Sequence, residues 1–383
     1  MGNQRGMVLF ISLTIMSLLM AVGLGVFVST QNDSRVTANL RRATETFYVA
    51  EAGVAWAKQQ LTLATNNPPI PADGSQNFST GSFSVSFLSS NRVSPVLARV
   101  VVRSVGVSGT SSQVIQTGMT KTYDLADGAI SLKGNSGVSF GGNSFAISGL
   151  DHDPADGQIM PGATPRPGIS VSAEPALTEV WNRLSSEQRA NIAGNNATGI
   201  AVSLSDFLPG SAVATLGEQM CNDANAVKQP VPADGILSLV GPTWGTRLNP
   251  QIHCVDGLSG VGDSVTLSGS SNGAGILVVR NADLIVNGSL HWEGLIVVTG
   301  DNVGLRLAGT EMKEIYGSVI VNENNPTPES GRLMLDLQGT LRVLYSRAAL
   351  ARSAELIPVS FLDGLYSFLP TVITQDYWRT LTP

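Results

Sequence analysis

Cysteine and histidine are nearly absent, two of one and three of the other in 383 residues. With so few, a disulfide between the two cysteines is favoured over a Cys/His metal site. Charged residues are scarce as well, at 14%, which sets the chain apart from a charge-rich cytosolic helical bundle. The net charge is −6 and no basic stripe runs along the sequence, so the electrostatic footprint of a nucleic-acid binder is missing. What the chain has instead is 41 glycines with plentiful Ser, Thr and Asn, the composition of turns and strands. The length allows two or three domains, each able to bury a core.

Long apolar runs are also lacking, with one exception at the N-terminus. Residues 7–30 hold no charge. As a helix they would measure about 36 Å, enough to cross a hydrocarbon core of roughly 30 Å. Arg5 in the polar head before them favours a cytoplasmic N-terminus. A signal peptide would need a shorter run and a small-residue cleavage site, and Ser29-Thr30-Gln31 is a poor one. A plain single-pass anchor with a helical stalk would fit the same pattern. The helix is expected to continue, because Val36, Leu40, Ala43, Phe47, Ala50, Val54, Ala57 and Leu61 form one stripe at steps of four and three. Asn66-Asn67-Pro68-Pro69 ends it.

A short basic leader ending in Gly6, the apolar span, Asn39-Leu40 and Ala50-Glu51-Ala52-Gly53 together resemble the N-terminal region of PilX-type minor pilins of type IV pilus systems. The resemblance covers about the first 65 residues and implies several things. A prepilin peptidase would cut between Gly6 and Met7, beside Arg5, and methylation of the new N-terminus would follow. The partners would be other pilins and minor pilins, the peptidase and the inner-membrane assembly machinery. The chain would span the inner membrane once with a periplasmic head, then reside in the pilus at the cell surface. Most pilins carry Glu at the fifth mature position, where this chain has Ile11. A subunit at the filament tip has no subunit above it and does not need that Glu, so the departure implies a low-copy, tip-proximal subunit that helps initiate assembly. The tip pseudopilin of type II secretion systems is the nearest relative reading. Gly23 and Gly25 sit mid-span, where pilins of this kind locally melt in the filament. In an oxidising periplasm, Cys221 and Cys254 are expected to form a disulfide.

The remainder is read from its own pattern. Residues 82–87 alternate strictly, 99–105 are rich in β-branched residues, and 113–117 follow a Gly-containing turn. Together these predict an antiparallel, pilin-like sheet packed on the helix through Val54, Ala57 and Leu61. Short Gly-rich strands then occupy 129–147. Gly137-Val138-Ser139-Phe140-Gly141 fits the G-x-S-x-G pattern but lacks the strand-to-helix context that a nucleophile elbow requires. Asp151, Asp153 and Asp156 share one loop, either as oxygen ligands for calcium or as a polar turn bonding local amides. No other cofactor is implied. A helical insert is expected at 174–184, with Leu177, Val180, Trp181 and Leu184 on one face, and a second near 212–220.

The last large block repeats. Gly275-Ile276-Leu277-Val278-Val279 recurs at Gly294 and, more loosely, at Gly317, 19 and 23 residues on. A long strand plus shorter ones at that period predicts a parallel β-helix. The alternative is an antiparallel meander with Asn287-Gly288 as a hairpin turn.

The expected fold is therefore α+β. Its divisions are a leader at 1–6, a transmembrane and amphipathic helix at 7–64, and a sheet at 76–127. Gly-rich strands, the acidic loop and the insert follow at 128–235, a β-solenoid at 236–350, and a helix-and-loop cap at 351–383. The expected role is a non-enzymatic filament subunit whose head contacts a surface or glycan. Two other readings stand beside it: a membrane-anchored adhesin, or a polysaccharide-acting enzyme with Arg280, Asp283, Glu293 and Arg306 along one β-helix face.

Overall fold

The computed structural model describes residues 4–134, 137–195, 202–205, 207–258, 262–324 and 333–381, without the side chains of 4–6 and 202–204. Helix α1 (Gln4–Leu63) runs unbroken for 60 residues, about 90 Å at helical rise. Its hydroxyls do not disturb it, because they bond back along the helix. Ser12 donates to Leu9 O at 3.0 Å, Thr14 to Ile11 O at 2.9 Å and Ser17 to Leu13 O at 2.8 Å.

Beneath its C-terminal third lies an antiparallel sheet, here sheet A. It comprises β1 (Gly74–Phe78), β2 (Gly81–Ser94), β3 (Leu97–Ser108), β4 (Ser111–Tyr123) and the C-terminal strand Thr371–Leu381, in that order. Strand alternation aims Phe83, Val85, Val100, Val102 and Met119 at the helix, where they meet Val49, Ala57 and Leu61. The expected stripe is only partly the contact. Ala50, Ala57 and Leu61 are fully buried and Val54 half-buried, whereas Val36 and Leu40 stand in the open because the sheet ends below them. Thr46 and Gly53 complete the buried face. A Cβ on Gly53 would collide with Ser104 Oγ, and one on Gly106 would lie 2.5 Å from Thr46 O and Ala50 N. These two glycines set how closely helix and sheet approach.

Residues 351–383 are not simply a cap. Helices α5 (Arg347–Ala354) and α6 (Val359–Leu365) lead into the strand Thr371–Leu381, which returns to sheet A beside β4. A bulge between Gln375 and Tyr377 breaks the alternation of that strand and its partner lies some 250 residues earlier, so its local pattern does not reveal it.

Between β4 and α5 most of the described strands stack in parallel as a β-helix, and the meander is not what forms. Each rung of the repeat has three faces. Ser264–Ser268, Asp283–Val286 and Leu305–Leu307 stack on one of them. The strands Ser270–Arg280, Ser289–Gly300 and Lys313–Glu323 supply the other two, bending at Gly275, Gly294 and Gly317. These glycines have φ of +118°, +138° and +136° and stack in register. A Cβ on Gly294 or Gly317 would fall on the carbonyl oxygen of the glycine one rung away. The recurring glycine is therefore the corner of the coil, and the apolar residues after it fill the column.

The coil is not continuous in sequence. Ile130–Lys133 pairs with residues 319–322, Gly137–Gly141 with Leu333–Gln338, and Phe145–Ser148 with Leu341–Tyr345. The first strands of the head thus extend the stack that the last ones build. One hydrophobic cluster embraces Ile130, Val171, Val278 and Leu344's neighbour Val343 alike, so no boundary falls at 235. Helices α2 (Glu174–Arg183) and α3 (Ser186–Arg189) cover the lower rungs, with Val180 and Leu184 buried and Trp181 half-buried under Arg189. Helix α4 (Gly210–Asn222) runs along the stack. Its start accepts from Asn322 Nδ2 at 2.9 Å, Gly217 lies against Thr299, and Cys221 reaches Cys254. Thirteen residues span about 20 Å, which matches four rungs spaced by about 4.8 Å.

Candidate functional site

Among the described residues, the free part of α1 is a long continuous exposed apolar surface. Met7, Phe10, Leu13, Met16, Leu19 and Phe27 are all more than half exposed, and Ile11 is 47% exposed. This helix is long and apolar enough to cross a membrane by length and composition. With its hydroxyls satisfied internally, it offers lipid no unpaired side-chain donor among Ser12, Thr14 and Ser17. Nothing lies within 4 Å of the Cβ position of Gly23 or Gly25, and the helix passes both without a break. Arg5 and Gly6 fall in the first turns of α1, but their side chains lie outside the described residues. Met7 is exposed just after them.

Where α1 meets sheet A, its solvent-facing ridge is flanked by two grooves. One, about 540 Å³, is lined by Tyr48, Glu51, Lys58, Met119, Ile373 and Trp378. The other, about 290 Å³, lies between Glu45, Tyr48, Val49, Ala52, Phe78 and Thr80. Glu51 is exposed on the wall of the first groove. Trp378 packs edge-on to Phe47 of α1 with centroids 5.7 Å apart. The C-terminal strand therefore completes this groove, and no local pattern in residues 371–381 points to that.

The acidic loop divides its carboxylates. Asp153 accepts from Ala155 N at 2.8 Å and Asp156 from Gln158 N at 2.9 Å, each a local turn. Asp151 faces the other way and accepts from Arg347 N at 2.8 Å. Among the described residues, no group of three or more His, Cys, Asp or Glu side chains is placed to hold a metal ion. Arg347 also bonds Asp124 at 2.9 Å, and Arg166 joins the same carboxylate. The loop is thereby tied to the junction between sheet A and the coil.

The four charged residues weighed for polysaccharide chemistry do not all meet at one place, although Asp283 and Arg306 line one cleft of about 270 Å³ together with Asp336. Arg280 pairs with Asp256 at 3.5 Å, and Asp283 accepts from Gly304 N at 2.8 Å. Arg306 pairs with Asp336 at 3.3 Å, across the face that also carries Asp283. Glu293 lies on a different face, held by Arg247 at 2.6 Å and Arg352 at 3.1 Å, with His291 at 3.4 Å. Burial opposes ionisation of Glu293, but the bonds from His291 and Arg247 outweigh it and hold its pKa near 2. The bond to Glu293, helped by its charge and that of Glu314, raises that of His291 in turn. This cluster fastens the turn at Arg247 and helix α5 to the coil. Cys221 and Cys254 are disulfide-bonded, joining the end of α4 to the strand Gln251–Asp256.

No family model matches the chain, and no curated protein matches it. Among solved structures, the crystal structure of the competence-associated pilin ComZ from Thermus thermophilus aligns with it at 14% identity, over 89% of this chain and 98% of that one, with a TM-score of 0.28. A TM-score of that size carries no assignment. The α+β fold stands on the chain's own elements: one long helix, an antiparallel sheet against its end, and a large β-rich head.

Proposed function

We propose that this chain is a pilin-like subunit of a type IV pilus or a related filament, held in the membrane by α1 before assembly. The observation that carries the reading is the division of one continuous helix. Residues 7–30 are charge-free and exposed and 31–44 are polar and exposed, while beyond them one side of the helix, with Ala50, Gly53, Ala57 and Leu61, is buried on sheet A. A rod of that kind can leave lipid only for a surface equally apolar, which a bundle of like helices supplies. Gly23 and Gly25 are points where neighbouring helices could open α1. The grooves beside Glu51 and Tyr48 are where a neighbouring subunit would bear on the ridge of α1.

The finer reading places the subunit near the tip, in low copy, helping to start assembly; Ile11 and the bulk of the head support it. A tip pseudopilin of a type II secretion system would use the same features. In this reading the role is structural. The test is the mature N-terminus from cells with and without prepilin peptidase. Cleavage before Met7 that depends on the peptidase is expected, together with recovery of the chain in sheared filaments. An uncleaved chain that stays in the membrane fraction would refute the proposal.

A further inference from the structure

The outer face of sheet A, opposite α1, carries several arginines beside an exposed tyrosine. Alternation puts Arg99, Val101 and Arg103 of β3 on this face, since Val100 and Val102 pack inward. The register lines up Arg103, Gln116 and Arg379 in one row. The next row holds Val101, Gly118 and Tyr377, and the one after it Arg99 and Thr120. Tyr377 rests directly on Gly118, whose Cβ would fall on the ring, and the tyrosine stays 43% exposed.

Arg99 and Arg103 are exposed and, among the described residues, have no carboxylate or side-chain hydrogen-bond partner. Arg379 donates to Gln116 Oε1 at 3.1 Å, another neutral group. Asp376, the one acid of the C-terminal strand, accepts from Thr120 at 2.7 Å. On the coil the opposite holds, where Arg280, Arg306 and Arg342 each face a carboxylate and Arg247 and Arg352 share Glu293. In a chain of net charge −6, three guanidinium groups, none of them ion-paired among the described residues, share one flat face with the single carboxylate of Asp376.

We propose that this face binds an acidic polysaccharide. Guanidinium forks match carboxylate or phosphate groups. Gln116 and Thr120 supply both donors and acceptors for sugar hydroxyls. Tyr377 offers an apolar surface with a polar tip between the two arginine rows. Arg103 and Arg379 stand two strands apart, about 10 Å, and Arg99 lies about 13 Å along β3 from Arg103. Three separated cations suit a polymer with spaced acids. Duplex DNA carries its charge far more densely. Grooves for single strands stack successive bases on several aromatics, where this face has Tyr377 alone.

The proposal does not rest on the filament reading. The full-length protein in detergent micelles is tested for binding to polygalacturonate, dextran and a thymidine oligonucleotide at low and moderate salt. Polygalacturonate is expected to bind and dextran not. Arg103→Gln with Arg379→Gln, both exposed, should weaken binding about tenfold or more. Tyr377→Ala should weaken it at unchanged charge, and Arg280→Gln with Arg342→Gln should leave it unaltered. Absent binding, equal loss in the coil variants, full binding by Tyr377→Ala, or tighter binding of the oligonucleotide than of polygalacturonate would each overturn it.

Discussion

Lys121 Nζ donates to the main-chain oxygen of Leu61 at 2.6 Å and to that of Ala64, closing the last turn of α1 from inside sheet A. The carbonyls at a helix C-terminus lack intrahelical partners, and a cation there is favoured by the helix dipole. The lysine is fully buried. A basic residue on the inner face of β4 thus fixes where the longest helix stops.

Burial lowers the Lys121 pKa to about 8 from 10.5. Between these values the unfolded chain binds more protons than the folded one, so this group's contribution to stability rises with pH across the window. Below pH 8 the cost of the buried charge is present in full. Relative to a Lys121→Met variant, the protein should gain roughly 3 kcal/mol or less from pH 8 to 10.5. Parallel melting curves at pH 7.5 and 10 read the effect, and a constant difference would refute it.

Glu293 gives the opposite sign. Its pKa, held near 2, lies below the ordinary 4.5. Its contribution is complete above pH 4.5 and is lost as pH falls from 4.5 towards 2. Glu293→Gln should cost about 1–3 kcal/mol at pH 7, since Arg247 and Arg352 lose their shared counter-charge but remain partly solvated. The gap between variant and parent should narrow at pH 3. Denaturant titrations at the two pH values decide this.

Glycine at the coil corner should resist substitution. Gly294→Ala places a Cβ against Gly275 O and Ser353 Oγ at φ +138°, and a loss of about 3 kcal/mol or more is expected. Gly109→Ala, at φ +59° with nothing within 4 Å, should cost about 1 kcal/mol. Similar melting temperatures for the two variants would contradict the stacked-corner account.

The disulfide closes a segment of 33 residues that holds the end of α4 and the top of the coil. Replacing Cys221 and Cys254 by Ser should destabilise the head by about 3–4 kcal/mol in the chain-entropy account. In the periplasmically expressed protein, neither cysteine should react with a maleimide before reduction. Two equivalents of label on the native head would count against this.

For Ile11 the measurement is positional. Immunogold label on sheared filaments should fall at tips, and Ile11→Glu should impair assembly by placing an unpaired carboxylate in lipid. Label spread evenly along the shaft would exclude the tip reading.

The legible parts of this chain were those whose partners are near in sequence. The charge-free run and the alternation in β2 and β3 carry their own periodicity, and the glycine repeat at 275, 294 and 317 pointed to a parallel stack. What escaped were pairings across long separations. Ile130–Lys133 lies on a strand 189 residues later, and nothing local in Ile-Ser-Leu-Lys names that partner. The Arg99, Arg103, Tyr377 surface was hidden for the same reason. Its signal in β3, arginines four apart among valines, became meaningful only once Thr371–Leu381 lay beside β4. The acidic loop shows the converse, a suggestive run of Asp whose carboxylates serve separate turns.

The return of the last strand has a consequence for how the molecule is made and loaded. The head is threaded between two adjacent strands, and its entry and exit touch, with Asp124 N donating to Pro370 O at 2.8 Å and the Tyr123 and Tyr366 rings 4.7 Å apart. During synthesis β4 emerges some 250 residues before its neighbour, so the sheet that grips the helix can be completed only after the whole coil has left the ribosome. Once complete, tension between helix and head is shared by two parallel connections at one seam instead of a single tether. The C-terminal strand is thus the latch of the seam: a chain truncated before it would keep the packing of β2–β4 on the rod but leave β4 an open edge and the head on a single tether.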